Sequence, residues 1–336
     1  GTLYHSGRSP EAEAILRDVA DNADPVRAPA LVGSARQLLA MVSLRGDRYD
    51  TMLEQARLGS ELFARAGERE NDGVMLDALS TARFSLREVD EGYLLAHRAL
   101  DRLRPYRSSY RLHNQLSHTA RTAGADGFAR AAVRVQDEGV RVAERTGNPV
   151  YVAEARLARA RLLAAVGALP RAAADVAVAK EAMGTIADPK VRGWMVAQRQ
   201  LAEAPPLLGS QPLRAAEALD SVAKYFYDMH APRLAFPAVV AGAQARLAAG
   251  DVERGTARLE EALGILEQRR DSIRMEPRRA AVFEAAREVV DRVAMLKLAA
   301  GRTAEALAYL DRGRASLALV GSRMGRATLD MRSKRA

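Results

Sequence analysis

Apolar residues recur along this chain at steps of three and four. Val282, Ala286, Val289, Val293, Leu296 and Ala300 follow one another this way, while Arg287, Glu288, Asp291 and Arg292 fill the opposite side. Tyr151, Ala155, Ala158, Leu162 and Val166 repeat the pattern. This is the helical period, and no run alternates over strand length, so the pattern predicts amphipathic helices nearly throughout.

The breaks between runs are themselves periodic. Pro25, Pro149, Pro189, Pro232 and Pro277 each follow a short polar or small segment and precede an amphipathic run, as expected of proline in a first helical turn. The last four are spaced by 40, 43 and 45 residues. Pro25 and Pro149 are 124 residues apart, three periods of about 41, so two further starts are expected near residues 66 and 108, where Gly67 to Asp72 and Pro105 to Ser109 interrupt the pattern. A second set of breakers falls inside each period: Gly46-Asp47, Asp90 to Gly92, Gly124 to Gly127, Gly167 to Pro170, Pro205 to Gly209, Gly250-Asp251 and Gly301. Each unit therefore reads helix, turn, helix. Gly7 before Ser9-Pro10 marks the turn of an earlier half unit, which makes about seven hairpins and a half. A hairpin cannot bury its apolar stripe alone, so neighbours must stack into a right-handed α-solenoid with a concave face. The expected organisation is one all-α solenoid over residues 1–320 and a basic linker or tail over 321–336 leading towards a missing domain.

Composition supports helices and removes several chemistries. Aromatic residues make up 5 % of the 336, and Ala, Leu, Arg and Glu dominate. There is no Cys, which excludes disulfides, thiolate metal sites and cysteine nucleophiles on this chain and fits a reducing cytoplasm. No stretch approaches the roughly 20 apolar residues of a membrane span, and no signal region opens the chain. Net charge is +9, from 51 basic and 42 acidic residues. The basic residues crowd only near the end, from Arg312 and Arg314 to Arg335. Charge alone predicts weak, salt-sensitive contact with nucleic acid and no specific recognition.

Catalytic patterns are missing. His113 and His118 are five residues apart, about 140° around a helix, which disfavours a shared metal site. No strained Gly-x-Ser-x-Gly elbow occurs, and Gly124-Ala125-Asp126-Gly127 lacks the lysine and preceding strand of a phosphate loop. No enzyme activity and no cofactor are expected. Trp194 and Met195 read as core, as do Tyr225, Phe226 and Tyr227, though these last three cannot all face inward.

The two-helix unit with Gly at its turn and Ala and Leu in its second helix resembles the tetratricopeptide repeat (TPR). The period here exceeds the usual ~34 by roughly two helical turns, the Trp of the first helix is absent, and the aromatic three residues after the turn Gly survives mainly as Tyr49. The segment Gly301-Arg302-Thr303-Ala304-Glu305-Ala306-Leu307-Ala308-Tyr309-Leu310-Asp311-Arg312-Gly313-Arg314-Ala315 resembles the closing repeat of proteins in which such an array leads into a CHAT domain, a caspase-like peptidase fold. That resemblance covers residues 270 to 320 in detail. It implies a cytoplasmic scaffold of a bacterial CHAT-type protease system, binding a protein or peptide partner while a C-terminal effector domain carries the chemistry. The alternative is the TPR-like sensor region of a bacterial transcription regulator. First helices line the concave face of tetratricopeptide arrays, which makes Arg36, Gln37, Asn114, Arg121, Arg156, Arg159, Gln198 and Gln244 candidates for gripping a partner, with Arg312 and Arg314 at the joint to the effector.

Overall fold

The computed structural model describes residues 9–46, 48–107, 109–271 and 287–311. Among them there is helix and no strand. In chain order the helices are α1 (Ser9–Asn22), α2 (Pro29–Arg45), α3 (Tyr49–Arg65), α4 (Arg69–Ser85), α5 (Val89–Leu103), α6 (Tyr110–Ala125) and α7 (Ala129–Thr146). They continue as α8 (Pro149–Ala165), α9 (Leu169–Gly184), α10 (Pro189–Leu207), α11 (Pro212–Asp228), α12 (Pro232–Ala248), α13 (Val252–Asp271) and α14 (Arg287–Ala299). A further helical stretch covers 303–311. Helices start at residues 29, 69, 110, 149, 189 and 232, so the repeat of about 40 residues is real. The chain forms two compact units, residues 1–211 and 212–336.

Local chemistry explains the starts and stops. Pro149 and Pro189 each occupy the first helical position behind a side chain that caps it. The Asn148 side chain accepts from Val150 N–H, and Asp188 accepts from Lys190 and Val191 N–H. Pro25 does not begin a helix. It lies in a turn whose Val26 N–H donates to Asp24 Oδ1, and Pro29 takes the first position of α2 instead. Most turns end on one device, a left-handed residue followed by an amide that reaches back five residues. At Gly67 (φ 72°), Glu68 N–H donates to Phe63 O at 2.9 Å; at Gly301 (φ 74°), Arg302 N–H donates to Lys297 O at 2.9 Å.

One expected breaker is displaced. The turn inside the second hairpin is at Arg87 (φ 63°), where Glu88 N–H donates to Arg83 O, and Asp90 to Gly92 lie within α5. Gly92 serves packing: a Cβ there would stand 2.5 Å from Phe84 Cδ1, so the Phe84 ring occupies the side-chain space of residue 92. Pro205 and Pro206 likewise lie in the last turn of α10, and the chain leaves the helix only after Leu207.

Within residues 1–211 the pairs α2/α3, α4/α5, α6/α7 and α8/α9 pack as antiparallel hairpins, and α3/α4 and α7/α8 join neighbours. Alanines such as Ala56, Ala99, Ala132 and Ala155 are fully buried and let the helices approach closely. One cluster, with Leu157, Leu163, Met183 and Met195 at its centre, ties α8, α9 and α10 together. Burying each such side chain contributes about 1.5–3 kcal/mol. In residues 212–336, α12, α13 and α14 bury Ala243, Leu259, Leu263, Leu266, Val290 and Val293. There Lys297 is buried yet paired with Glu260 at 2.7 Å and Glu305 at 3.0 Å, and Tyr309 donates to Glu260 at 2.8 Å, which fastens 303–311 to the hairpin.

At the other end of the chain, α1 is held by charge. Glu13 takes a bidentate clasp from Arg48, at 2.9 and 2.7 Å, and a second contact from Arg17 at 2.7 Å. The Arg48 hydrogen bonds, opposed by partial burial and aided by Arg17, lower the Glu13 pKa from 4.5 to about 2. Because the folded value lies below the unfolded one, this stabilisation is complete above pH ~4.5 and is lost as the pH falls towards ~2. In urea melts, Glu13→Gln is expected to cost about 2 kcal/mol at pH 6, and the gap from the parent to narrow steadily below pH ~4.5. A gap that stays constant down to pH 2.5 would show that the clasp adds nothing to folding.

Candidate functional site on the first-helix face

The first helices α6, α8 and α10 lie side by side within the 1–211 unit, and α8 carries two different polar edges. On one edge Arg156 and Arg159 turn towards the second helices. Arg156 donates to Asp175 of α9 at 2.8 Å and also contacts Glu144 of α7. Arg159 donates twice to Asp175 at 2.7 Å and to Asp137 of α7 at 2.8 Å. These two expected partner-binding arginines tie one hairpin to the next. Arg36 does the same further back, donating to Gln55 at 2.9 Å, to the Ala20 carbonyl at 3.0 Å and to Asp21 at 3.1 Å.

The other edge of α8 faces the neighbouring first helices. Tyr151 stacks on Tyr110 of α6, with centroids 6.1 Å apart, and lies against the buried His113 ring at 5.7 Å. His113 Nε2 stands 3.8 Å from Glu154. His118 points the opposite way, to Asp77 of α4 at 3.2 Å, so the two histidines do not converge. One turn beyond Ala158, Arg161 donates through Nη1 to Gln198 of α10 at 3.0 Å. The Arg161 pKa falls from 12.5 to about 10, first because burial penalises its charge and next because Arg121 of α6 is near, with Glu154 pulling weakly upward. Arg121 is exposed. Arg161 thus bonds Gln198 on one neighbouring first helix and feels the charge of Arg121 on the other.

Of the remaining candidates, Asn114 and Gln37 are partly buried on first helices, and Gln244 is exposed on α12 in the other unit, beside Val240, Glu288 and Met295. Arg312 and Arg314 lie outside the described residues. The sequence reading missed Arg161. The available signal was its place next to the apolar stripe of α8, between Ala158 and Leu162, where an arginine departs from the pattern. The Tyr225 to Tyr227 run divides: Phe226 is buried, Tyr227 donates to Glu261 of α13, and Tyr225 is partly exposed and packs edge-on against Phe226. Among the described residues no group of three potential metal ligands occurs, and no helix is long and apolar enough to cross a membrane.

Stacked hairpins of this length, with first helices against first helices, define an all-α solenoid of the TPR-like class. No family model matches the chain, and no curated protein matches it. Among solved structures the chain is similar to a Rap protein complexed with competence and sporulation factor, at 11 % identity and a TM-score of 0.61, over 92 % of this chain and 80 % of that one. It is also similar to a signal-transduction ATPase with numerous domains and a tetratricopeptide repeat sensor from Pyrococcus horikoshii, at 12 % identity and a TM-score of 0.49. That match covers 98 % of this chain and 49 % of the other, so the chain spans about half the ATPase's length. A third match is BtubC from P. vanneervenii, at 17 % identity, a TM-score of 0.47, and 55 % and 78 % coverage.

Proposed function

We propose that this chain is a protein-interaction scaffold without catalysis of its own, and that it receives a peptide or protein segment on the first-helix face of residues 1–211. The carrying observation is the Arg161–Gln198 bond between the first helices α8 and α10, within electrostatic reach of the exposed Arg121 on α6. Polar groups gathered from successive repeats suit a ligand that runs across helices, and no single hairpin could hold such a ligand. A Rap protein of similar fold is known in complex with competence and sporulation factor, which agrees with this use of the architecture. The more specific reading is a recognition or regulatory module of a bacterial CHAT-type protease system, with the peptidase chemistry on another segment. Its support is the Gly301 to Ala315 stretch.

Selection of displayed random peptides on the purified chain tests the scaffold reading. Binders that compete with one another and are weakened by Asn114→Trp, placed to obstruct the face, are the expected result. Selection that never rises above an unrelated control protein, or peptide hydrolysis that survives rigorous purification, would sink it.

A further inference from the structure

Arginines that are only partly exposed in the 1–211 unit are matched, almost without exception, by carboxylates. Arg36 meets Asp21, Arg48 meets Glu13, Arg102 meets Asp72, and Arg156 and Arg159 share Asp175. Arg161 departs from this rule. Among the described residues its one hydrogen bond goes to the neutral amide of Gln198, and its nearest charged influences are a second arginine and Glu154, which itself faces His113. Arg161 itself is half-buried on α8.

A partly desolvated guanidinium beside another cation is unfavourable in the empty protein, and an arriving anion relieves both causes at once. The bond to Gln198 engages Nη1 alone, so the rest of the Arg161 fork is left for a carboxylate. Resting on the scaffold reading above, we propose that Arg161, braced by Gln198 and lying in the positive field of Arg121, is a receptor for an Asp or Glu side chain of a bound acidic peptide. The site selects for charge at one point along the ligand, and the remaining contacts come from the rest of the face.

Fluorescein-labelled hexaglutamate, with hexaglutamine as its neutral counterpart, provides the probe for anisotropy titrations near physiological salt. The chain carries an overall positive charge, so the control removes equal charge elsewhere: Arg134→Gln with Arg141→Gln, both exposed on α7. Hexaglutamate is expected to bind and hexaglutamine not to. Arg121→Gln with Arg161→Gln is expected to weaken hexaglutamate at least about tenfold, and the control pair less than about twofold. Equal weakening by the two pairs, or no hexaglutamate binding at millimolar concentration, overturns the proposal. If hexaglutamate fails while displayed peptides still bind the face, this inference falls and the scaffold reading stands. If both fail, both fall. Thermal melting separates binding from bracing: Arg161→Met is expected to leave the midpoint unchanged or raise it, and a drop of more than about 3 °C would make Arg161 an internal strut.

Discussion

Asp175→Ala is expected to cost about 3–5 kcal/mol in urea unfolding, because it strands two arginines that have no equivalent partner. Asp175 is almost completely enclosed on α9, its side chain 4 % exposed, and receives both Arg156 and Arg159, which are themselves 21 % and 15 % exposed. The hydrogen bonds that Arg159 donates to Asp175 are the leading reason that the Arg159 pKa is held above its ordinary range, with burial opposing them. Without that carboxylate the two guanidinium groups keep only Glu144 and Asp137 of α7. In a stacked array the loss concentrates at one junction, so hydrogen exchange should rise first in α8, α9 and α10. The triple change Asp175→Leu, Arg156→Met, Arg159→Met removes the charges together and is expected to recover most of the stability. A cost below about 1 kcal/mol for Asp175→Ala would show that Glu144 and Asp137 can take over.

The second large effect is expected at Phe63, which is wholly buried where α3 crosses α2. A Cβ on Gly33 would stand 3.0 to 3.2 Å from three atoms of the Phe63 ring, so the ring lies against bare backbone. Phe63→Ala opens a cavity there and should cost about 3–5 kcal/mol. Gly33→Leu in the parent should also destabilise, by about 1–3 kcal/mol, since the ring has no room to retreat. Combined, the two changes exchange a large and a small residue across one contact, and the double mutant should be more stable than the sum of the single losses by at least ~1 kcal/mol. Strict additivity would show that Phe63 does not depend on Gly33.

The helices themselves were legible in the residue pattern because their causes are local. A period of three to four, a proline behind Asn148 or Asp188, and a glycine able to hold positive φ act within one turn of chain. The failures came where a neighbouring helix decides. Gly92 looks like a turn in the sequence, yet it lies within α5 because Phe84 fills the space beside it, while the true turn uses Arg87, whose residue type gives no hint of left-handed backbone. The same division governs the candidate site. The sequence placed Arg156, Arg159 and Arg121 on first helices and could not say which way each would turn. Arg156 and Arg161 are five residues apart, about 140° around one helix, and their partners come from different distances along the chain. Arg156 finds Asp175 and Glu144 on adjoining second helices, whereas Arg161 finds Gln198 and another arginine on first helices. Helical periodicity by itself determined that both would lie on α8. Only the packing of α7, α9 and α10 around it decided which guanidinium was neutralised by a carboxylate and which was left with a neutral amide, because a long flexible cation goes where carboxylates from distant helices happen to be.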